Sequence, residues 1–338
     1  MRRLDIGIAF ETKPDIQLAP GAPTDILEEY DGRETIDALA GTLRSLGHDV
    51  RMLGGGRAFV EAVFANPPGL VFNNAEGCGS RSREAHVPAV CEMLGIPFTH
   101  SDPLTMALTL DKALAKRVVA SAGIRTASFR RVDAPADLEE IDLPFPLFVK
   151  PAAEGSSMGV RNTSRVADRA GLEREVLRCL RDYRQPALIE AYLPGSEVTV
   201  GIVGSGARTR AIGSMEIAPA KLGVADFIYG LESKREYQEH VRYYAPPRHL
   251  SPAEQADATA TALAAYRALG CRDIARVDLR FDAEGRANFL EVNALPGLNP
   301  VTGDIIVMTG LLGIDYAALI ATIVEEAAWR YPGMNDCP

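Results

Sequence analysis

Polar and apolar positions alternate most cleanly in two neighbouring runs, Ala275-Arg276-Val277-Asp278-Leu279-Arg280-Phe281 and Ala287-Asn288-Phe289-Leu290-Glu291-Val292-Asn293. The segment between them, Asp282-Ala283-Glu284-Gly285-Arg286, is polar and holds a glycine. Alternation at period two around such a turn predicts a hairpin. With 283–286 as a four-residue loop, Asp282 faces Ala287, Asp278 faces Glu291 and Arg276 faces Asn293. These side chains share one face. Val277 with Val292 and Leu279 with Leu290 make the other face a core. Two directly opposed carboxylates repel. A divalent cation between them resolves the conflict, and an Asn oxygen suits Mg²⁺ as a third ligand. A loop one residue longer would turn one strand's faces over.

Elsewhere the pattern predicts strands alternating with helices. Residues 4–10 read as a buried strand, and 11–31, rich in Pro, Gly and Asp, as a long loop. Loops of that length are often functional. A helix over 33–46 stops at Gly47. Strands over 50–53 and 69–73 and a helix over 85–94 complete a parallel α/β unit ending near His100. Helices over 103–108, 111–122 and 168–183, with strands over 127–132 and 147–150, make a smaller middle unit. The third has strands over 187–190, 197–203 and 209–217, a polar-aromatic loop over 218–247 expected to wrap a site, helices over 252–269 and 316–329, and the hairpin. The expected domains are therefore 1–100, 101–186 and 187–338.

Composition narrows the class. A chain of 338 residues, 47% hydrophobic and 24% charged, is that of an ordinary soluble globular protein. The net charge of −9 argues against a dedicated nucleic-acid binder. No run approaches 18 uncharged apolar residues, and Met1-Arg2-Arg3-Leu4-Asp5 has an acid and no cleavage pattern. A cytoplasmic protein without membrane contact is expected. Cys78, Cys91, Cys179, Cys271 and Cys337 form no CxxC pair, so they are read as free thiols.

Candidate chemistry gathers at three further places. Lys150 ends an apolar strand and is followed by Glu154-Gly155-Ser156-Ser157-Met158-Gly159. Such a loop lets backbone N–H groups approach a phosphate, although it is neither a P-loop nor a dinucleotide fingerprint and is equally an ordinary turn. Asp111-Lys112 opens a helix that also carries Lys116, and from that segment alone a solvated lysine is the simpler reading. The strand 187–190 ends in Glu190 and leads through a turn to Glu197. Its linker offers backbone groups to an adenine edge, and Glu197 could accept from ribose hydroxyls; an edge strand with two surface acids is the alternative.

In this order the elements resemble the ATP-grasp fold and, within it, the D-alanine–D-alanine ligase family. The motifs are Leu110-Asp111-Lys112-Ala113-Leu114-Ala115-Lys116, Phe148-Val149-Lys150-Pro151 with the glycine-serine loop, Ile189-Glu190 with Pro194-Gly195-Ser196-Glu197, Ala275-Arg276-Val277-Asp278, and Phe289-Leu290-Glu291-Val292-Asn293-Ala294-Leu295-Pro296-Gly297. The resemblance is specific from about Leu94 onward. It implies a three-domain α/β architecture: an N-terminal parallel α/β domain, a small central α+β domain and a C-terminal α+β domain, with ATP between the last two. Lys112, Lys150 and Lys234 would neutralise ATP phosphates, covered by the backbone of Ser156 and Ser157 beside Glu154. Glu190, the backbone of Ala191, Tyr192 and Leu193, and Glu197 would bind adenosine. Asp278, Glu291 and Asn293 would hold two Mg²⁺ ions, with Mn²⁺ as a substitute. Arg276 and the Gly297 N–H would form an oxyanion site, with Tyr229 on a neighbouring loop. The implied reaction phosphorylates a carboxylate and lets an amine attack the acyl phosphate. A homodimer acting on small amino acids or carboxylates is expected.

The amino-acid side departs from the family. Phe10-Glu11-Thr12-Lys13 stands where members carry Gly-Gly-x-Ser-x-Glu, whose Glu meets the first substrate's ammonium. Asn74-Ala75-Glu76-Gly77, then Ser80-Arg81-Ser82-Arg83-Glu84, stands for a His-Gly segment, and Thr302 for a serine. Substrate contacts are expected from Glu11, Glu76, Arg81, Arg83, Glu84 and Thr302, with a pair other than two D-alanines. The alternatives are an orthodox D-alanine–D-alanine ligase and a nucleotide-binding protein without catalysis. Retention of Arg276, Asp278, Glu291 and Asn293 together argues against the latter.

Overall fold

A computed structural model describes residues 2–16, 21–221 and 223–331. Cys337 lies outside the described residues. Cys78 is exposed, and Cys91, Cys179 and Cys271 are buried free thiols.

The chain opens with β1 (Asp5–Phe10), α1 (Arg33–Ser45), β2 (Asp49–Gly54), α2 (Gly56–Ala65), β3 (Leu70–Asn74) and α3 (His86–Leu94). The strands form a parallel sheet in the order β2-β1-β3. α1 buries Ile36, Leu39, Ala40 and Leu43, the one-sided spacing of an amphipathic helix. α2 has no counterpart in the sequence reading. It begins within Gly54-Gly55-Gly56, at Gly56, a run that obscures a helix start, and buries only Phe59 and Val63.

Next come α4 (Pro103–Leu110), α5 (Lys112–Ser121), β4 (Phe129–Val132), β5 (Leu147–Pro151), β6 (Arg165–Val166), α6 (Arg169–Arg178) and β7 (Ala187–Ala191). Asp102 and Asp111 cap α4 and α5 with side-chain bonds to Thr105 and Leu114 N–H. The antiparallel sheet runs β4-β7-β5-β6. The expected helix over 168–183 is α6 followed by a π-turn, Cys179–Tyr183.

The remaining elements are β8 (Glu197–Val203), β9 (Arg210–Pro219), α7 (Leu231–Arg235), α8 (Tyr237–His240), β10 (Val241–Tyr244), α9 (Pro252–Ala268), β11 (Ile274–Phe281), β12 (Ala287–Asn293), α10 (Asp304–Leu311) and α11 (Tyr316–Arg330). The third sheet is antiparallel, β10-β9-β8-β11-β12. The stretch 218–247, read as a loop, therefore contains α7, α8 and a strand that pairs only with β9. A lone four-residue edge strand leaves little periodicity to read.

The hairpin β11–β12 needs one correction. Phe281 pairs with Ala287, so the loop is 282–286, one residue longer than expected. Asp282 leaves the strand because its carboxylate accepts from the N–H groups of Glu284 and Arg286, at 3.1 and 2.8 Å. Such a slip would turn Asp278 away from Glu291. A bulge at Leu290 cancels it: Leu279 pairs with Phe289, whereas Asp278 pairs with Glu291 and Arg276 with Asn293. The pairings Asp282–Ala287 and Leu279–Leu290 do not exist, and Leu290 faces a cleft instead of the core.

The first and third sheets share one apolar cluster, in which Ile6, Ile8 and Leu39 meet Met215, Ile305 and Ile320. α4 and α5 join the core under α9 and β11, whereas the second sheet has its own cluster around Leu147, Val149 and Ile189. Among the described residues no single helix is long and apolar enough to cross a membrane.

A buried ionic knot ties the last helix to the rest. Arg330, ending α11, donates to both Asp273 carboxylate oxygens at 2.7 Å and to the carbonyls of Phe98 and His100. Asp273 also accepts from the His100 N–H at 2.9 Å. Removing one partner of such a pair leaves an uncompensated buried charge. Arg330→Met is therefore expected to lower unfolding free energy by about 3–5 kcal/mol. Urea denaturation checks this, and an unchanged midpoint would refute it.

Candidate active site

A cavity of about 940 Å³ lies between the second and third sheets. Lys112, Lys150, Glu190 and Glu291 line it, and Lys116 is buried behind them. Lys150, in β5, places Nζ 2.9 Å from Glu190 Oε2 and 3.6 Å from Glu291 Oε2. Lys116 Nζ is 2.5 Å from Glu190 Oε1 and donates to the Phe289 carbonyl. Lys112 Nζ lies 3.4 Å from Glu291 Oε2 and donates to the Glu154 carbonyl. Lys116 is fully buried, so the solvated-lysine reading of its helix fails at that position. Burial pushes the Glu291 carboxyl up, but Lys112, Lys150, Arg276 and Lys234 outweigh it and hold it at about 2. Glu190 is likewise held low against burial by Lys116 and Lys150.

The polar face of the hairpin forms one wall. The Arg276 fork grips Asp278 at 2.9 and 3.0 Å. Thr199 and Asn293 donate to the same carboxylate at 2.6 and 3.0 Å. The remaining Arg276 nitrogen lies 3.2 Å from Asp304. Asp304 accepts from the Tyr229 hydroxyl at 2.9 Å, and that hydroxyl meets Tyr243 at 2.8 Å. Lys234 stands 4.0 Å from Asp304 and 4.8 Å from the centre of the Tyr229 ring. Burial pushes the Asp304 carboxyl up, yet Arg276 and Lys234 bring it below its ordinary value.

At the linker end, Arg280 lies 3.4 Å from Glu197 and donates to the Tyr192 hydroxyl and the Phe227 carbonyl at 2.9 Å. Burial pushes the Glu197 carboxyl up to about 7 although Arg280 pulls the other way. In the glycine-serine loop, Ser156 and Ser157 both take left-handed backbones, with φ of 48° and 59°. The Ser157 hydroxyl donates to the Tyr229 carbonyl, tying the two loops together. Ala191 and Leu193 line the same cavity.

A second cavity of about 1650 Å³ adjoins the first. Lys112, Glu154, Tyr229, Lys234, Arg276 and Glu291 line both. Gly297, Asn293, Thr302, Glu76 and Glu84 line the second alone. Three residues expected on the substrate side stand elsewhere. Arg83 is committed to Glu29 by a two-pronged bond at 2.7 and 3.1 Å and to the Ala153 carbonyl. Glu11 accepts from the Gly77 N–H and lies against Gly55. Arg81 is exposed, 3.9 Å from Asp111. Arg280, Asp304 and Tyr243 escaped the sequence reading, and Lys116 was noted there without a role in the site. Arg280 carried a signal, its place on the polar face of the alternating strand with Arg276 and Asp278; Asp304 and Tyr243 carried none.

Among the described residues no three His, Cys, Asp or Glu side chains converge as a metal cluster. The opposed Asp278 and Glu291 carboxylates with the Asn293 amide are nevertheless an all-oxygen donor set. That set fits a hard cation that takes its remaining ligands from phosphates and water.

The protein family described as D-ala D-ala ligase C-terminus matches residues 118–325. A D-alanine–D-alanine ligase of Gluconobacter oxydans is 33% identical, covering 87% of this chain and 93% of its own length. An uncharacterized protein, y4sG, of Sinorhizobium fredii is 32% identical over 88% of each chain. The crystal structure of the Bacillus anthracis D-alanine–D-alanine ligase complexed with ATP superposes with a TM-score of 0.72 at 19% identity, covering 98% of this chain and 99% of that one.

The linker's path over β11 depends on Gly195. Its N–H donates to the Phe281 carbonyl at 2.9 Å, and a Cβ there would lie 2.6 Å from Phe281 Cβ and 2.7 Å from its carbonyl oxygen. A Cβ at Gly297 meets open space. Gly195→Ala is therefore expected to destabilise by roughly 1–3 kcal/mol, and Gly297→Ala to leave the unfolding midpoint unchanged. Equal effects in chemical denaturation would contradict this.

Proposed function

Because the chain belongs to the D-alanine–D-alanine ligase family of ATP-dependent, ADP-forming ligases with the three-domain ATP-grasp fold, we propose that it joins a carboxylate to an amine at the junction of its two cavities. The observation that carries this reading is that Lys112, Lys234 and Arg276 border both spaces. Lys112, Lys150 and Lys234 receive the phosphates of ATP. The backbone of Ser156 and Ser157 covers them, and the 191–193 backbone with Glu197 holds adenosine. Glu190 serves chiefly to hold Lys116 and Lys150 in place. Asp278, Glu291 and Asn293 are the proposed ligands of two Mg²⁺ ions. When bound, such ions would supply neutralisation of the negative charge of the phosphates.

The chain's own groups account for the rest. Transfer of the terminal phosphoryl group to a substrate carboxylate oxygen yields ADP and an acyl phosphate. A neutral amine nitrogen then attacks the acyl carbon, the C–O bond to phosphate breaks, and inorganic phosphate leaves as the nitrogen sheds its proton. Arg276, held on both sides by Asp278 and Asp304, and the Gly297 N–H stabilise the oxyanion of that step. Tyr229 and Asp304 keep Arg276 and Lys234 aligned.

The reading includes an amino-acid site altered from that of the ligases, supported by the absent Gly-Gly-x-Ser-x-Glu segment and by Arg83 being paired to Glu29. It also includes the units 1–100, 101–186 and 187–338, with α4 and α5 as a seam against the third sheet. A cytoplasmic homodimer completes it; the exposed Phe64 of α2 and Met93 of α3 support self-association.

ADP release over a panel of carboxylates and amines tests the ligase reading. Glu291→Gln is expected to lower turnover by about 10²-fold or more with the fold intact; near-normal turnover would remove β12 from the phosphate site. A second expectation concerns pH. A carboxyl at about 7 is about one-tenth ionised at pH 6 and nine-tenths at pH 8. Glu197 must be ionised to accept from both ribose hydroxyls, so its raised value weakens binding below pH 7. Adenosine affinity without divalent metal should rise about ninefold from pH 6 to 8 and be flat in Glu197→Gln. A steep profile in that variant would place the titration elsewhere.

A further inference from the structure

The wall of the second cavity that faces Arg276 comes from the N-terminal unit, and its acids are unequally matched. Glu28 pairs with Arg235 and Glu29 with Arg83. Glu291 and Asp304 on the opposite side have Lys112, Lys150, Arg276 and Lys234. Glu76 and Glu84 make no hydrogen bond or ion pair among the described residues, though both line the cavity. Asp31 beside them takes only neutral donors, Thr35, Asn74 and Asn299.

Building on the ligase reading, we propose that the amine substrate is a diamine or a basic amino acid, whose second, non-reacting ammonium is held by Glu76 and Glu84. Three observations converge. The two carboxyls are half-buried and unpartnered in a cavity that opens onto the Arg276–Gly297 end. Among the described residues no guanidinium on that wall is free to receive a carboxylate, because the Arg83 fork is taken by Glu29 and Arg235 by Glu28. Burial raises both carboxyls, helped at Glu76 by Glu84 and Glu29 and at Glu84 by Glu29, and carries Glu84 to about 7 against the pull of Arg83 and Lys112, an environment that a further cation beside them relieves. A zwitterion as small as alanine offers one ammonium, which reacts as the amine, and leaves no second cation for these two carboxyls. A diamine reacts at one end as the neutral amine: the C–N bond forms as the bond to phosphate breaks, and that nitrogen releases its proton. The other end stays an ammonium throughout and is not altered.

The test compares substrates matched in length. Ornithine is set against norvaline, and putrescine against n-butylamine, in ADP release with a panel of small carboxylic acids. D-alanine is included, and calorimetry of putrescine and butylamine runs alongside. The expected result is a preference of at least about tenfold in kcat/KM for the compound with the second amino group. In Glu76→Gln/Glu84→Gln the preference should disappear through a raised KM for the diamine, with kcat nearly unchanged. Circular dichroism checks that this variant folds; if it does not, the single Glu84→Gln variant and the wild-type comparison carry the test. Norvaline, butylamine or D-alanine performing as well as the diamines overturns the inference and leaves the ligase reading standing. No ADP release from any pair overturns the ligase reading itself. Calorimetry then shows whether putrescine binds more tightly than butylamine, and equal binding overturns the inference independently.

Discussion

Everything at the active site leans on the alternating row of buried charges Lys116, Glu190, Lys150, Glu291 and Lys112. Each charge is costly to remove from water, and only a neighbour of opposite sign at close range offsets that cost. The row therefore stands or falls as a unit. It also crosses units: Lys112 and Lys116 come from α5, Lys150 and Glu190 from the second sheet, and Glu291 from the third. The cleft is thus held by charge where the apolar cores stop. The second sheet keeps its own core, separate from the one shared by the first and third.

That division suits a nucleotide clamp. A lid with its own core moves without exposing the apolar interior beneath it. The row leaves the lysines pre-paired with carboxylates, so under the proposed function incoming phosphates would exchange partners with them and not meet bare cations. The 21–31 segment closes the opposite side. Asp25 accepts from the Gly159 N–H and the Tyr183 hydroxyl, and Glu28 and Glu29 bind Arg235 and Arg83. One stretch therefore touches the glycine-serine loop, α7 and the substrate wall.

The bulge at Leu290 links fold to chemistry most directly. The turn takes one residue more than a four-residue loop because the Asp282 carboxylate is drawn to turn N–H groups. The strand returns that residue at Leu290, so Asp278 and Glu291 still face each other. Two local irregularities cancel, and the opposed carboxylates survive. The same bulge sends Leu290 into the nucleotide-side cavity, where it supplies an apolar surface.

Alternation in 275–281 and 287–293, the lysine at the end of β5 and the glycine-serine loop after it are local facts, and local physics suffices to read them. Side chains alternate on a strand whatever surrounds it, and a lysine closing an apolar strand needs a counter-charge. The hairpin, the placing of Lys150 beside the glycine-serine loop and the pairing of Asp278 with Glu291 were legible for that reason. Tertiary structure alone decided how charges found partners. Arg83 looked like a substrate fork until the 21–31 segment brought Glu29 to it from 54 residues away. Lys116 looked solvated until Glu190, far along the chain, folded onto it. Glu76 and Glu84 were left facing the cavity because, among the described residues, no cation comes close enough to pair with them. Which buried charge is satisfied depends on contacts remote in sequence, and no window of residues contains that information.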